Sequence, residues 1–108
     1  NKFIDIVKNY FYESIFVFKD IKIYAEEITN TNNNVSCHLT LLEKKILLEI
    51  IDKKTITKDY FLENILQLNK NTETKTIESH LTRIRKKLLE INSFIQIQSR
   101  GNKIFIGN

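Results

Sequence analysis

Lys75-Thr76-Ile77-Glu78-Ser79-His80-Leu81-Thr82-Arg83-Ile84-Arg85-Lys86-Lys87-Leu88 is the stretch on which the reading of this chain turns. At about 100° per residue, Ile77, Leu81, Ile84 and Leu88 share one narrow stripe, the pattern of a helix docked by one face. The spacing predicts a helix over 75–90. Lys75, Ser79, Thr82, Arg83 and Lys86 fall on the far side, with His80 and Arg85 flanking the stripe. That face is cationic and hydroxylic with almost no acid. Lys and Arg suit phosphates, while Arg, Ser and Thr suit base edges. A solvated surface is the plainer reading of a Lys-rich helix, so the neighbouring segments have to decide.

Downstream, Ile95-Gln96-Ile97-Gln98 alternates, Arg100-Gly101-Asn102 turns and Ile104-Phe105-Ile106 returns, which predicts a hairpin with Arg100 and Lys103 at its tip. A helix followed by a basic hairpin can grip a groove and the adjoining backbone together. Charge follows the same division. Residues 1–74 carry ten Lys and no Arg against eleven acids, whereas residues 75–108 carry seven basic residues against Glu78 and Glu90. Such asymmetry points to an electrostatic face for a polyanion.

Upstream, Thr40-Leu41-Leu42-Glu43 reads as a capping box opening a helix through Asp52, with Leu42, Ile46 and Ile50 on one face and Leu47 and Ile51 beside it. Thr57 can cap a second helix on which Phe61, Ile65 and Leu68 recur. The segment 69–74 lacks apolar residues and reads as a loop. Before Thr40, strands are predicted over 15–18, 21–24, 27–29 and 35–39, with turns at Lys19-Asp20 and Asn30–Asn34. Phe3, Ile4, Val7, Tyr10 and Phe11 form a short helical stripe ahead of them.

Composition excludes several classes. The 108 residues suit one domain, and no stretch approaches the ~18 apolar residues of a membrane span. With two Gly, both near the C-terminus, no Gly-rich phosphate loop can form. Cys37 is the single cysteine, so no internal disulfide framework or Cys-rich zinc site exists. Cys37, His38 and His80 lack metal-ligand spacing, and Cys37 reads as a small apolar core residue. No nucleophile–base arrangement stands out, so a non-enzymatic, cytoplasmic protein without metal or cofactor is expected. The chain has no Met, as expected of a piece of a longer protein. Its enrichment in Ile, Lys and Asn matches an AT-rich coding sequence, so the net charge of +4 alone carries little weight.

The segment 76–88 resembles the recognition-helix signature of OmpR/PhoB-type response regulator output domains, roughly T-V-x-x-H-I-x-x-L-R-x-K-L. Leu39-Thr40 with Glu43 resembles the family's L-T-x-x-E helix start, and Ile95–Gly101 its strand leading into an Arg-Gly wing. The resemblance covers residues 15–106. It implies an α+β fold: a winged helix-turn-helix with an N-terminal four-stranded antiparallel sheet, three helices and a C-terminal β-hairpin wing. Residues 14–108 would form that domain, and residues 1–13 the linker or the tail of a preceding receiver domain.

The resemblance further implies sequence-specific binding of double-stranded DNA, under a receiver phosphorylated by a sensor kinase in a bacterial two-component phosphorelay. Implied contacts are Lys75, Thr76, His80, Thr82, Arg83 and Arg85 on the helix, with Gln98 and Arg100 on the wing. Ser79 and Lys86 share the polar face, and Lys103 can add a phosphate contact. Leu68, Asn69, Lys70, Asn71, Thr72 and Glu73 correspond to the loop that can face RNA polymerase, and a homodimer on DNA is implied. Two departures stand out: the usual R-G-x-G-Y ending reads Arg100-Gly101-Asn102-Lys103-Ile104, and Thr82 stands where many members carry a second Arg. A receiverless activator of the same fold fits the residues too. From a different class, so does a winged-helix module docking an acidic protein through the same basic face.

Overall fold

Strict alternation builds the first layer. In the computed structural model, which describes residues 14–67 and 75–107, β1 (Ile15–Phe18), β2 (Ile21–Tyr24), β3 (Glu27–Asn30) and β4 (Ser36–His38) pair antiparallel in chain order. Phe16, Ile21, Ile23 and Ile28 face inward, while Ile15, Val17 and Tyr24 face solvent. Two-residue turns at Lys19-Asp20 and Ala25-Glu26 set the register, pairing Phe18 with Ile21 and Tyr24 with Glu27. These are the four strands expected from the sequence: β1 and β2 keep their expected bounds, β3 is one residue longer, and β4 is one residue shorter at each end.

α1 (Leu41–Lys53) begins at the expected capping box: the Glu43 N–H donates to Thr40 Oγ1 at 3.1 Å, and the Thr40 N–H donates to Glu43 Oε1 at 2.9 Å. Its buried face keeps the expected Ile46, Leu47 and Ile50, with Ile51 packed at its edge, and departs from expectation at Leu42. Leu42 is exposed, and Glu43, Lys44, Ile46, Leu47, Leu48 and Ile50 are buried. Both buried charges have partners in other segments. Glu43 meets Lys87, and the Lys44 ammonium donates to Ala25 O at 3.0 Å across the Phe16 ring. Burial pulls the Lys44 pKa below its ordinary value, with nearby Glu26 opposing.

A fifth strand, β5 (Thr55–Thr57), follows α1 and is not among the expected elements. Thr57 then caps α2 (Lys58–Tyr60), its Oγ1 accepting from the Tyr60 N–H at 3.0 Å. A π-helical segment, Phe61–Ile65, continues α2 directly and closes with Leu66 N–H donating to Phe61 O. Phe61, Leu62 and Ile65 are buried; Leu68 lies outside the described residues. α3 (Lys75–Glu90) matches the expected helix end to end, and its stripe of Ile77, Leu81, Ile84 and Leu88 is fully buried. β6 (Gln96–Arg100) and β7 (Lys103–Gly107) form the hairpin, which β5 extends to a sheet of order β5-β7-β6.

The four-stranded sheet fastens the C-terminal end of α3. Buried Asn30 donates through Nδ2 to Ile91 O at 2.9 Å and Asn92 O at 3.1 Å, satisfying carbonyls that a helix end leaves unpaired. Buried Asp20 accepts from Ser93 Oγ at 2.8 Å and from the Phe94 N–H at 2.9 Å. The turn residues that read as local punctuation thus hold a segment about 60 to 74 residues further on. Between these layers, one apolar core joins sheet, helices and hairpin.

Candidate nucleic-acid interface

α3 buries its stripe and leaves its polar face open. Ser79, Thr82, Arg83 and Lys86 are exposed, and Thr76 and His80 are half-buried at the margin. Lys75 opens the helix. On the hairpin, Arg100 and Lys103 sit directly opposite each other on either side of Gly101-Asn102, and both are exposed. Gly101 adopts φ +59°, so this turn uses the conformational freedom of glycine. Gln98 is exposed on the outer strand, its amide donating to Gln96 Oε1 at 3.3 Å. The tip is braced from the far side, where the Lys58 N–H donates to Asn102 O at 2.8 Å.

Two of the basic groups are committed elsewhere. Arg85 donates through Nε to Ile97 O at 2.8 Å and approaches Glu78 Oε1 at 3.4 Å, so its guanidinium lies between α3 and β6. Helical side chains lean toward the N-terminus, which carries Arg85 back to a partner two turns earlier. Lys87 turns inward to Glu43. Burial by itself would raise the Glu43 pKa, but hydrogen bonds from Lys87 and the Thr40 N–H, with the Lys87 charge, hold it below the ordinary value. The exposed cations left on α3 and the hairpin are then Arg83, Lys86, Arg100 and Lys103 among the described side chains.

His80 points Nδ1 into a buried position with no hydrogen-bond partner. Burial first, and then the neighbouring Arg83 charge, lower its pKa against an opposing pull from Glu43, which favours the neutral ring. Cys37 packs half-buried on the core with its thiol 3.8 Å from Lys87 O; burial, then the Glu90 charge, raises its pKa. Among the described residues no group of three His, Cys, Asp or Glu side chains could hold a metal. No described helix is long and apolar enough to cross a membrane. The segment 68–73, expected as a polymerase-facing loop, lies outside the described residues.

Sequence reasoning missed Glu78 and Ser99. The Ser99 hydroxyl donates to Glu78 Oε2 at 3.3 Å, while Oε1 faces Arg85. The only signal was that Glu78 is one of just two acids, with Glu90, on an otherwise basic helix.

The layered arrangement of four-stranded sheet, three helices and three-stranded wing sheet is that of a winged helix-turn-helix DNA-binding domain, the fold that the resemblance to OmpR/PhoB-type output domains implied. It is similar to the DNA-binding domain of the response regulator AdeR, solved in complex with an intercistronic region. That likeness has a TM-score of 0.67 at 26% identity, covering 86% of this chain and 99% of the other. No protein-family model and no curated protein matches the chain.

Proposed function

We propose that this domain binds double-stranded DNA sequence-specifically, as the output domain of a bacterial two-component response regulator. α3 would enter the major groove, and the β6–β7 wing would rest on the backbone and adjoining minor groove. One observation carries the reading: the exposed face of α3 and the wing tip together present Arg83, Lys86, Arg100 and Lys103 on two separate elements of a winged helix. The DNA-bound state of the AdeR domain supports it.

In this reading Arg83 offers a bidentate fork to a guanine edge, with Thr76, Ser79 and Thr82 beside it for bases or phosphates. Lys75, Lys86, Arg100 and Lys103 neutralise phosphates, and His80 and Gln98 contact the duplex at the margins. Arg85 keeps its place between α3 and β6. An upstream receiver under a sensor kinase controls the domain in the cytoplasm, segment 68–73 faces RNA polymerase, and two copies occupy two half-sites. The role is binding; no catalytic step, cofactor or metal is part of it.

The test is a titration of operator and scrambled duplexes at several salt concentrations. Log affinity should fall with log salt by about 0.9 per neutralised phosphate, so a slope steeper than about −2 is expected. Arg83→Ala should lose ~1–3 kcal/mol on the preferred site alone. Equal losses on all duplexes would make Arg83 a phosphate clamp. No loss, with a flat salt response, would favour docking to an acidic protein instead.

A further inference from the structure

From the packing between α3 and the wing, and resting on the DNA-binding reading above, we infer that Glu78 is a positioning residue that sets where the wing stands relative to α3. Its carboxylate links a residue of each element, Arg85 on α3 and Ser99 on β6. Oε2 accepts from Ser99 Oγ on β6 at 3.3 Å, and Oε1 meets Arg85 at 3.4 Å. Arg85 in turn donates to Ile97 O of β6 at 2.8 Å. Helix and strand are therefore joined by a closed chain of polar contacts centred on one acid. A binding site built on two elements works only when their relative placement is held, and locked side-chain networks are what hold it.

Charge repulsion and positioning by Glu78 act on DNA affinity with opposite signs. Glu78 is a negative charge beside a surface proposed to meet phosphates, so simple electrostatics says that removing it tightens DNA binding. A positioning role says the reverse. Glu78→Ala should weaken operator binding about tenfold, or about 1.4 kcal/mol. It should also speed amide exchange in β6 of the DNA-free protein relative to β2, which the substitution does not touch. Glu78→Gln has lost the charge but keeps an oxygen acceptor, so it should restore most of the affinity and of the protection. Ser99→Ala should produce a smaller change in the same direction, and the double variant should fall short of the sum of the two singles.

The arms separate the two claims. Unchanged exchange in β6 for Glu78→Ala would overturn the coupling itself. Faster β6 exchange together with equal or tighter DNA binding in both Glu78 variants would reduce Glu78 to a repelling charge and overturn the positioning role. A wild-type protein that binds no duplex, with β6 exchange still responding to Glu78→Ala, would remove the DNA reading and leave the mechanical coupling standing.

Discussion

The four-stranded sheet holds the segment at the C-terminal end of α3 with the buried Asp20 and Asn30, whereas the wing meets the middle of α3 through half-buried groups, Ser99 and Ile97 O of β6 against Glu78 and Arg85 of the helix. Both regions are antiparallel, yet they fasten the same helix at different depths. A group sealed from water that loses its partner costs its full desolvation, while a partly wet group can turn to solvent. The first clasp should therefore show itself in stability, and the second in how the surface is presented.

Both contacts stand on one apolar core, and opening that core should have the largest effect. Leu81 is fully buried at the centre of the α3 stripe. Leu81→Ala should cost ~2–5 kcal/mol in denaturant unfolding. Unchanged melting with lost DNA binding would show that the helix turns another face to the core.

Next comes the buried clasp. Asp20→Ala leaves the Phe94 N–H and the Ser93 hydroxyl without their acceptor, so unfolding should show a loss of ~1–3 kcal/mol. DNA affinity, corrected for the folded fraction, should stay the same. A selective loss of affinity with little change in stability would erase the distinction between the two regions.

A smaller effect should appear on acidification. Glu43 titrates in the fold below its ordinary value of 4.5, so folding favours its ionised form. That contribution is complete above about pH 4.5 and is lost as the pH falls through the lowered value. In Glu43→Gln the acid limb of stability against pH should be shallower. An unaltered limb would mean that the Lys87 contact adds nothing.

The smallest effect on stability belongs to the wing tip. Arg100→Ala should leave unfolding within about 0.5 kcal/mol. Its binding to all duplexes should weaken evenly, with a salt slope smaller by about one. A loss confined to one sequence would move Arg100 from grip to readout.

Much of this architecture was legible in the residues. The stripe of Ile77, Leu81, Ile84 and Leu88 gave α3 its bounds and its buried face, because a 3.6-residue period is local and strong. Alternation and turn residues located β1 to β4, and Thr40, Glu43 and Thr57 marked two helix starts through bonds that span three residues. The exposed Arg83, Lys86, Arg100 and Lys103 followed from the same periodicities.

Tertiary structure alone decided the rest. β5 is three residues long and becomes a strand only because β7 lies beside it. The burial of Glu43 and Lys44 on α1 goes with partners in distant segments, Lys87 lying 44 positions beyond Glu43 and Ala25 O 19 positions before Lys44. Arg85 belongs to the polar margin by wheel position, and only the presence of Ile97 O and Glu78 commits it to the gap between helix and wing. Side-chain period is a property of the neighbouring few residues, so a sequence displays it. Where a charge finds its partner depends on which distant segments the core brings together, and no local pattern records that.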